Sequence, residues 1–246
     1  MGRLLAALLA LALSLPATAA NVHVASAANF NTTLAEIASR FEAESGHRLT
    51  ISSASTAVLY TQIVHGAPFD ILLAADSERP RLLETGGYAE PGNRFAYAWG
   101  KLVLAYQPQL SELADQGVAE LLASPGLDLV IANPELAPYG QAADAVLQRH
   151  PLAGDGRLLR ATNVVQAYQM WFSGGADAAL LAKSSQPARY LEVPANWYPP
   201  LEQQAVLLGD PVDKPAATSF MEFLRSPAVR ALIEEHGYGI EAPRHD

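Results

Sequence analysis

Residues 22–34, Val-His-Val-Ala-Ser-Ala-Ala-Asn-Phe-Asn-Thr-Thr-Leu, contain the arrangement on which the rest of the chain is built. The stretch predicts a β-strand that runs through small residues to Asn29 and is followed by a helix. The helix has apolar residues at the spacing i, i+3, i+4 and i+7, which is typical of one buried face. These residues are Leu34, Ile37, Ala38 and Phe41. Because the first N–H groups of a helix lack intrahelical partners and attract anions, this loop is a candidate half of an oxyanion site.

Three further loops have the same layout, each after a predicted strand and before a predicted helix. They are residues 52–56 (Ser-Ser-Ala-Ser-Thr), 138–140 (Pro-Tyr-Gly) and 161–164 (Ala-Thr-Asn-Val). Hydroxyls, amides and free backbone N–H groups are neutral donors, and several of them aimed at one point suit a tetrahedral oxyanion. Each loop alone is explained by an ordinary helix cap or turn. Four of them in one chain favour a shared binding site.

Composition and charge exclude several classes of protein. Residues 1–20 combine a basic start, a short apolar run and an Ala-x-Ala end, which predicts a signal peptide cleaved after Ala19 or Ala20. The chain of 246 residues has a net charge of −9, and removal of Arg3 with the signal peptide makes it −10. This balance argues against nucleic acid or an anionic membrane as the main partner. With no cysteine, the exported protein must be stabilised by its own core.

The segments alternate regularly between strands and helices, which predicts an α/β fold with parallel sheets flanked by helices. Strands are expected at 69–75, 101–106 and 203–208, and helices at 111–122 and 164–172. No internal repeat is visible. The residues leave open whether the chain forms one domain or two, and the proline-rich segment 183–201 favours two only weakly.

Signals of enzymatic activity are poor. The chain has no Gly-x-Ser-x-Gly elbow, no phosphate-binding glycine loop and no His-Glu-x-x-His motif. Its six histidines lack the spacing of metal ligands. An exported α/β enzyme that uses the same loops as an oxyanion hole stays open as an alternative, although no pair of nucleophile and base is recognisable.

Several blocks of sequence resemble a known family. They include Ala-Ala-Asn-Phe at 27–30, Gln-Ile-Val-His-Gly-Ala-Pro at 62–68 and Asn-Pro-Glu-Leu-Ala-Pro-Tyr-Gly at 133–140. Together with blocks at 51–56, 74–76, 100–104 and 203–206, they resemble the periplasmic molybdate-binding proteins, the substrate-binding components of molybdate ABC importers. The resemblance covers essentially the whole mature chain.

The resemblance implies a two-lobed, type II periplasmic binding fold with two crossings between the lobes. The first lobe is expected at 21–103 plus 205–246 and the second at 104–204, with hinges near Leu104 and Gln203. The resemblance also implies that neutral hydrogen bonds hold molybdate or tungstate in the cleft, without cofactor and without direct protein ligands to molybdenum. The residues matched to the ligand positions are Asn29 as a side-chain donor, Ala28 beside it, Thr56, Ser55, and Tyr139 and Val164 through their backbone N–H groups.

Two departures affect the expected ligand set. Some relatives have a hydroxyl residue where this chain has Ala28, and glycines where it has Ala54 and Ala57. The implied protein is periplasmic, monomeric and delivers its ligand to a membrane permease. A binder of another oxyanion, such as sulfate or phosphate, remains the second hypothesis.

Overall fold

The computed structural model describes residues 19–242, so almost all of the predicted signal peptide lies outside the described residues. Residues 21–207 supply ten strands. In chain order they are β1 Asn21–Ala27, β2 Arg48–Ala54, β3 Ile71–Leu73, β4 Arg94–Gly100, β5 Leu102–Tyr106, β6 Leu129–Ala132, β7 Leu158–Ala161, β8 Ala178–Ala182, β9 Tyr190–Glu192 and β10 Leu201–Leu207.

Helices cover both sheets. The α-helices of the described part are α1 Asn31–Ser45, α2 Thr56–Val64, α3 Glu78–Thr85, α4 Ser111–Ala114, α5 Val118–Leu122, α6 Pro138–Arg149, α7 Val164–Phe172, α8 Pro215–Leu224 and α9 Pro227–Glu235. Within residues 19–242, no helix is long and apolar enough to cross a membrane.

The two sheets have the same topology. The first has the strand order β2-β1-β3-β10-β4 and the second β7-β6-β8-β5-β9. In each, four strands point the same way, and the fourth strand in the order, β10 or β5, runs antiparallel to both neighbours. The predicted class, α/β with two mostly parallel sheets flanked by helices, is confirmed. The structural repeat between the sheets is not visible as a repeat of sequence.

The chain crosses between the sheets twice. It passes from β4 to β5 through Lys101 alone, and from β9 to β10 through residues 193–200. Both β5 and β10 therefore enter their sheet directly after a crossing. The predicted lobe boundaries, after Val103 and before Ala205, fall inside these two strands, and the sheets place the crossings two to four residues earlier. The division into lobes otherwise stays a prediction.

The first lobe is built around the helix that follows the opening strand. The predicted apolar face of α1 is buried, and Phe41 meets Phe220 of α8 edge to face at 5.1 Å between ring centroids. Such aromatic pairs stabilise a core beyond the area that they bury. A left-handed Gly46, at φ 73°, ends the helix.

The predicted helix over 111–122 is wrong as a single element. It consists of the short helices α4 and α5, separated by Gly117 at φ 122°, a conformation that favours glycine. Two strands are also shorter than expected, since β3 begins at Ile71 and β5 at Leu102.

Gly140 lets the first turn of α6 pack closely against the end of β6. A Cβ atom at this position would lie 2.5 Å from the carbonyl oxygen of Ala132 and 2.7 Å from the carbonyl carbon of Asn133. Both are backbone atoms that cannot move aside as a side chain does. The closeness of this packing fixes where the N-terminus of α6 lies.

Gly140→Ala is expected to lower the free energy of unfolding by about 1–3 kcal/mol, because the added methyl group overpacks a rigid contact. Urea unfolding of the ligand-free protein measures this. The exposed neighbour Gln141 provides the control, and Gln141→Ala should stay within about 0.5 kcal/mol of the natural chain. Equal stability of the two variants would contradict the packing argument.

Candidate functional site

A small cavity lies where the carboxyl ends of strands from both sheets meet. It is lined by residues that follow β1, β2 and β3 of the first sheet and β6 and β7 of the second. These residues are Ala27, Ala28, Asn29, Ser55, Thr56, Ala75, Ala137, Pro138, Tyr139, Asn163 and Val164. The structure thus brings together all six predicted site residues. Their role toward a ligand stays a prediction.

The cavity is uncharged and small. No Asp, Glu, Lys, Arg or His is among the residues that line it. Its volume of about 10 Å³ is far below the roughly 300–1,000 Å³ of pockets for drug-sized ligands. It is about the room that one water molecule needs, and the polar groups around it are backbone amides, hydroxyls and side-chain amides.

Helix α7 leaves one backbone donor free at the cavity. The side chain of Asn163 accepts the N–H groups of Val165 and Gln166, both at 3.0 Å, and its carbonyl oxygen accepts the N–H of Ala167. Of the first turn, only the N–H of Val164 has no acceptor within the helix start. Asn163 was predicted only as part of the loop, and the structure shows that it is the N-cap.

The first turn of helix α6 also leaves one backbone N–H free, although other residues bring this about. Pro138 has no N–H, and the N–H groups of Gly140 and Gln141 both donate to the carbonyl oxygen of Ala137, at 2.8 and 3.1 Å. The N–H of Tyr139 is therefore the remaining donor of this turn. Tyr139 and Val164 are the two positions matched to backbone donors.

The loop before α2 supplies two hydroxyl groups. The Ser55 Oγ is buried and has no hydrogen-bond partner, even though Ser55 occupies the N-cap position. The Thr56 Oγ1 accepts the N–H of Ala75 at 3.1 Å, so its own proton is available to another acceptor. A buried hydroxyl without a partner is costly, so the Ser55 oxygen is free to bond with a group that enters the cavity.

Asn29, which is predicted as a side-chain donor to the ligand, has its side-chain amide bonded inside the protein. Its Nδ2 donates to Gln203 Oε1 at 2.9 Å and to the Tyr238 hydroxyl at 3.1 Å. The backbone carbonyl oxygen of Asn29 accepts hydrogen bonds from the hydroxyls of Tyr238, at 2.7 Å, and Ser184, at 3.2 Å. Both amide protons of Asn29 are thus used inside the protein, and these bonds fix the orientation of the loop that lines the cavity.

Gln203 is the residue that the sequence analysis missed as part of the site. It is fully buried on β10 and contacts a cavity residue from each lobe, Asn29 through Oε1 and Tyr139 through Nε2. Its Oε1 also accepts the hydroxyl of Tyr97 at 3.0 Å. The available signal was a glutamine in a predicted strand, since a buried amide needs partners.

Tyr139 of the cavity, and the tyrosines bonded to Gln203 and Asn29, are neutral at physiological pH. Burial raises the pKa of the Tyr97 and Tyr139 phenols well above their usual value, and that of Tyr238 to about 12. Each hydroxyl therefore acts as a neutral hydrogen-bonding group. Asp76, next to Ala75, is paired with Arg79 at 3.2 Å, and burial raises the pKa of its carboxyl.

A family model described as bacterial extracellular solute-binding protein matches residues 22–239 of the chain. The chain belongs to this family. It is 38% identical to the molybdate-binding protein ModA of Azotobacter vinelandii, over 98% of each chain. It is 35% identical to ModA of Rhodobacter capsulatus, over 95% of this chain and 94% of that protein.

The solved structures agree with these relatives. The periplasmic molybdate-binding protein of Azotobacter vinelandii matches with a TM-score of 0.80 and 35% identity, over 89% of this chain and 99% of that chain. A sulfate-binding protein of Mycobacterium tuberculosis matches at a TM-score of 0.67 and 14% identity, over 89% of this chain and 86% of that chain. At that identity the likeness shows the fold alone.

Other features of this solute-binding protein do not form a comparable site. Residues 19–242 contain no group of three or more His, Asp or Glu side chains that could hold a metal ion. A larger cavity of about 640 Å³ lies along the two crossings, with Trp99, Lys101 and Tyr198 in its lining. The helix starts that line the small cavity are not part of it.

Ser55→Ala is expected to leave the free energy of unfolding of the ligand-free protein unchanged or slightly increased. The Ser55 hydroxyl has no partner, so its removal breaks no hydrogen bond and relieves an unmet one. Urea unfolding without added anions measures this.

The control is Asn163→Ala, which removes a cap that accepts two N–H groups and should cost about 1 kcal/mol. If Ser55→Ala costs as much as Asn163→Ala, the hydroxyl stabilises the fold and is not held ready for a ligand.

Proposed function

We propose that this chain is the periplasmic component of an ABC importer that captures molybdate, with tungstate as a second ligand, and delivers it to a membrane permease. The observation that carries the proposal is the unpartnered, buried Ser55 hydroxyl in an uncharged cavity, where free N–H groups of two helices from the second lobe also end. The relatives named ModA support molybdate as the ion, since they match this chain over nearly its full length.

The chemistry of an oxyanion accounts for the lining of the cavity. A dianion leaves water only if hydrogen bonds replace its hydration, which takes roughly two donors per oxygen. The Ser55 and Thr56 hydroxyls, the N–H groups of Tyr139 and Val164, and the backbone of the Ala28–Phe30 turn supply such donors without any counter-charge. Helix starts add their positive dipole ends.

Both lobes are close enough to surround the ion. The N–H of Ala57, in the first turn of α2, donates to the carbonyl oxygen of Leu136 in the loop before α6, at 3.2 Å. This contact joins a loop of the first lobe to a loop of the second, beside the cavity. It corresponds to a closed form, and release of the ion requires the lobes to move apart at the crossings.

Binding without catalysis fits the site better than an exported α/β enzyme. A serine nucleophile needs a base within hydrogen-bond distance, and the Ser55 Oγ has no hydrogen-bond partner. Export follows from the proposed signal peptide at residues 1–20, and β1 begins at Asn21, immediately after the proposed cleavage site. The protein acts as a monomer in this proposal.

Ser55→Ala is expected to weaken molybdate binding by roughly tenfold or more, because one donor to the ion is lost. Isothermal titration calorimetry with molybdate, tungstate, sulfate and phosphate measures the affinities. The natural chain should bind molybdate and tungstate more tightly than sulfate or phosphate, with the size of the cavity deciding between ions of similar shape.

Ser173→Ala is the control, since Ser173 is exposed at the far end of α7 and should leave every affinity unchanged. Sulfate or phosphate binding as tight as molybdate binding would contradict the proposed specificity. The same affinity in Ser55→Ala and the natural chain would remove Ser55 from the site.

The affinity for molybdate should be constant between about pH 7 and 9. No titratable carboxyl, amine or imidazole lines the cavity, and burial raises the pKa of the nearby Tyr139 phenol. Titrations at several pH values in that range test this. A tenfold change in affinity would show that a charged group acts on the ion.

A further inference from the structure

We propose that Gln203 is a positioning residue that joins the ligand loops of the two lobes, and that its hydrogen bond to Tyr139 sets how tightly the closed form holds the ion. This inference rests on the proposed function and deepens it. Gln203 does not line the cavity, so it acts through the residues that do.

The Gln203 amide makes three hydrogen bonds, two to residues of the first lobe and one to a residue of the second. Oε1 accepts the Asn29 amide at 2.9 Å and the Tyr97 hydroxyl at 3.0 Å, and both of these residues belong to the first lobe. Nε2 donates to the Tyr139 hydroxyl at 3.2 Å, and Tyr139 belongs to α6 of the second lobe. One buried side chain therefore holds a cavity residue of each lobe.

The backbone is shaped to make this contact. The pairing of β10 with β4 shifts register between Gln203 and Gln204, which changes the direction of the side chains at this point. Gly100, at the end of β4, leaves room for both partners. A Cβ atom there would lie 2.4 Å from the Tyr139 hydroxyl oxygen and 2.9 Å from Gln203 Nε2. Gly100 adjoins the crossing at Lys101.

The hydrogen bond between Gln203 and the Tyr139 phenol also positions the backbone N–H of Tyr139, because both groups belong to the same residue. Its backbone N–H is the free donor of the α6 start, and its phenol is the acceptor for Gln203. Asn29 is held in the same way on the other side, through its side chain and its carbonyl oxygen. The amide of Gln203 thereby fixes the spacing between donors that come from different lobes.

Tyr97 and Tyr139 form a matched pair for the test. Each places one buried phenol on the same amide, but Tyr97 does so within the first lobe and Tyr139 across the lobes. Tyr97→Phe changes the open and the closed forms equally, so its cost cancels in the affinity. Tyr139→Phe keeps the backbone N–H and removes a contact that belongs to the closed form.

Titration calorimetry with molybdate and thermal unfolding, with and without molybdate, give the required readouts. We expect Tyr139→Phe to weaken binding roughly tenfold, since Gln203 Nε2 then lacks an acceptor in the closed form. Its unfolding temperature without ligand should stay near that of the natural chain. Tyr97→Phe should lower that temperature and leave the affinity within about twofold.

A Gln203→Met variant completes a double-mutant cycle with Tyr139→Phe. The two substitutions should be strongly non-additive in molybdate affinity, since they remove the same hydrogen bond. Additive effects, or equal weakening by Tyr97→Phe and Tyr139→Phe, would overturn the inference while leaving the proposed function intact. Failure of the natural chain to bind molybdate would overturn both.

Discussion

A buried hydrogen-bond donor needs a partner, and this protein leaves several donors without one at a single point between its lobes. The Ser55 hydroxyl and the N–H groups of Tyr139 and Val164 end at the same cavity. The neighbouring donors of each helix start are paired inside the protein, by Asn163 in α7 and by Ala137 in α6. The three free donors thus lie together at one neutral cavity, where a buried donor without a partner is costly.

The topology explains why these donors meet. Each sheet runs four of its five strands in one direction, so the carboxyl ends of β1, β2 and β3 share one edge, as do those of β6 and β7. The two crossings turn these edges toward each other. The repeated topology therefore places helix starts of both lobes around one cavity.

The spacing of apolar residues along the chain was enough to predict several of the helices. The apolar face of α1 and the whole of α7 follow from a period of 3.6 residues, and all six expected site residues line the cavity. The break at Gly117 was missed because a glycine inside a helical pattern is compatible with either state. The role of the Asn29 side chain and the position of Gln203 depend on a register shift and on space beside Gly100. Those are contacts between distant segments, which no spacing rule reveals.

A crystal structure of the protein grown with molybdate, with the molybdenum located by its anomalous scattering, would show where the ion binds. We expect one ion in the cavity between the lobes, with its oxygens within hydrogen-bond distance of the Ser55 and Thr56 hydroxyls and the N–H groups of Tyr139 and Val164. No lysine or arginine should contact it. An ion held by charged side chains, or bound in the cavity along the crossings, would contradict the account.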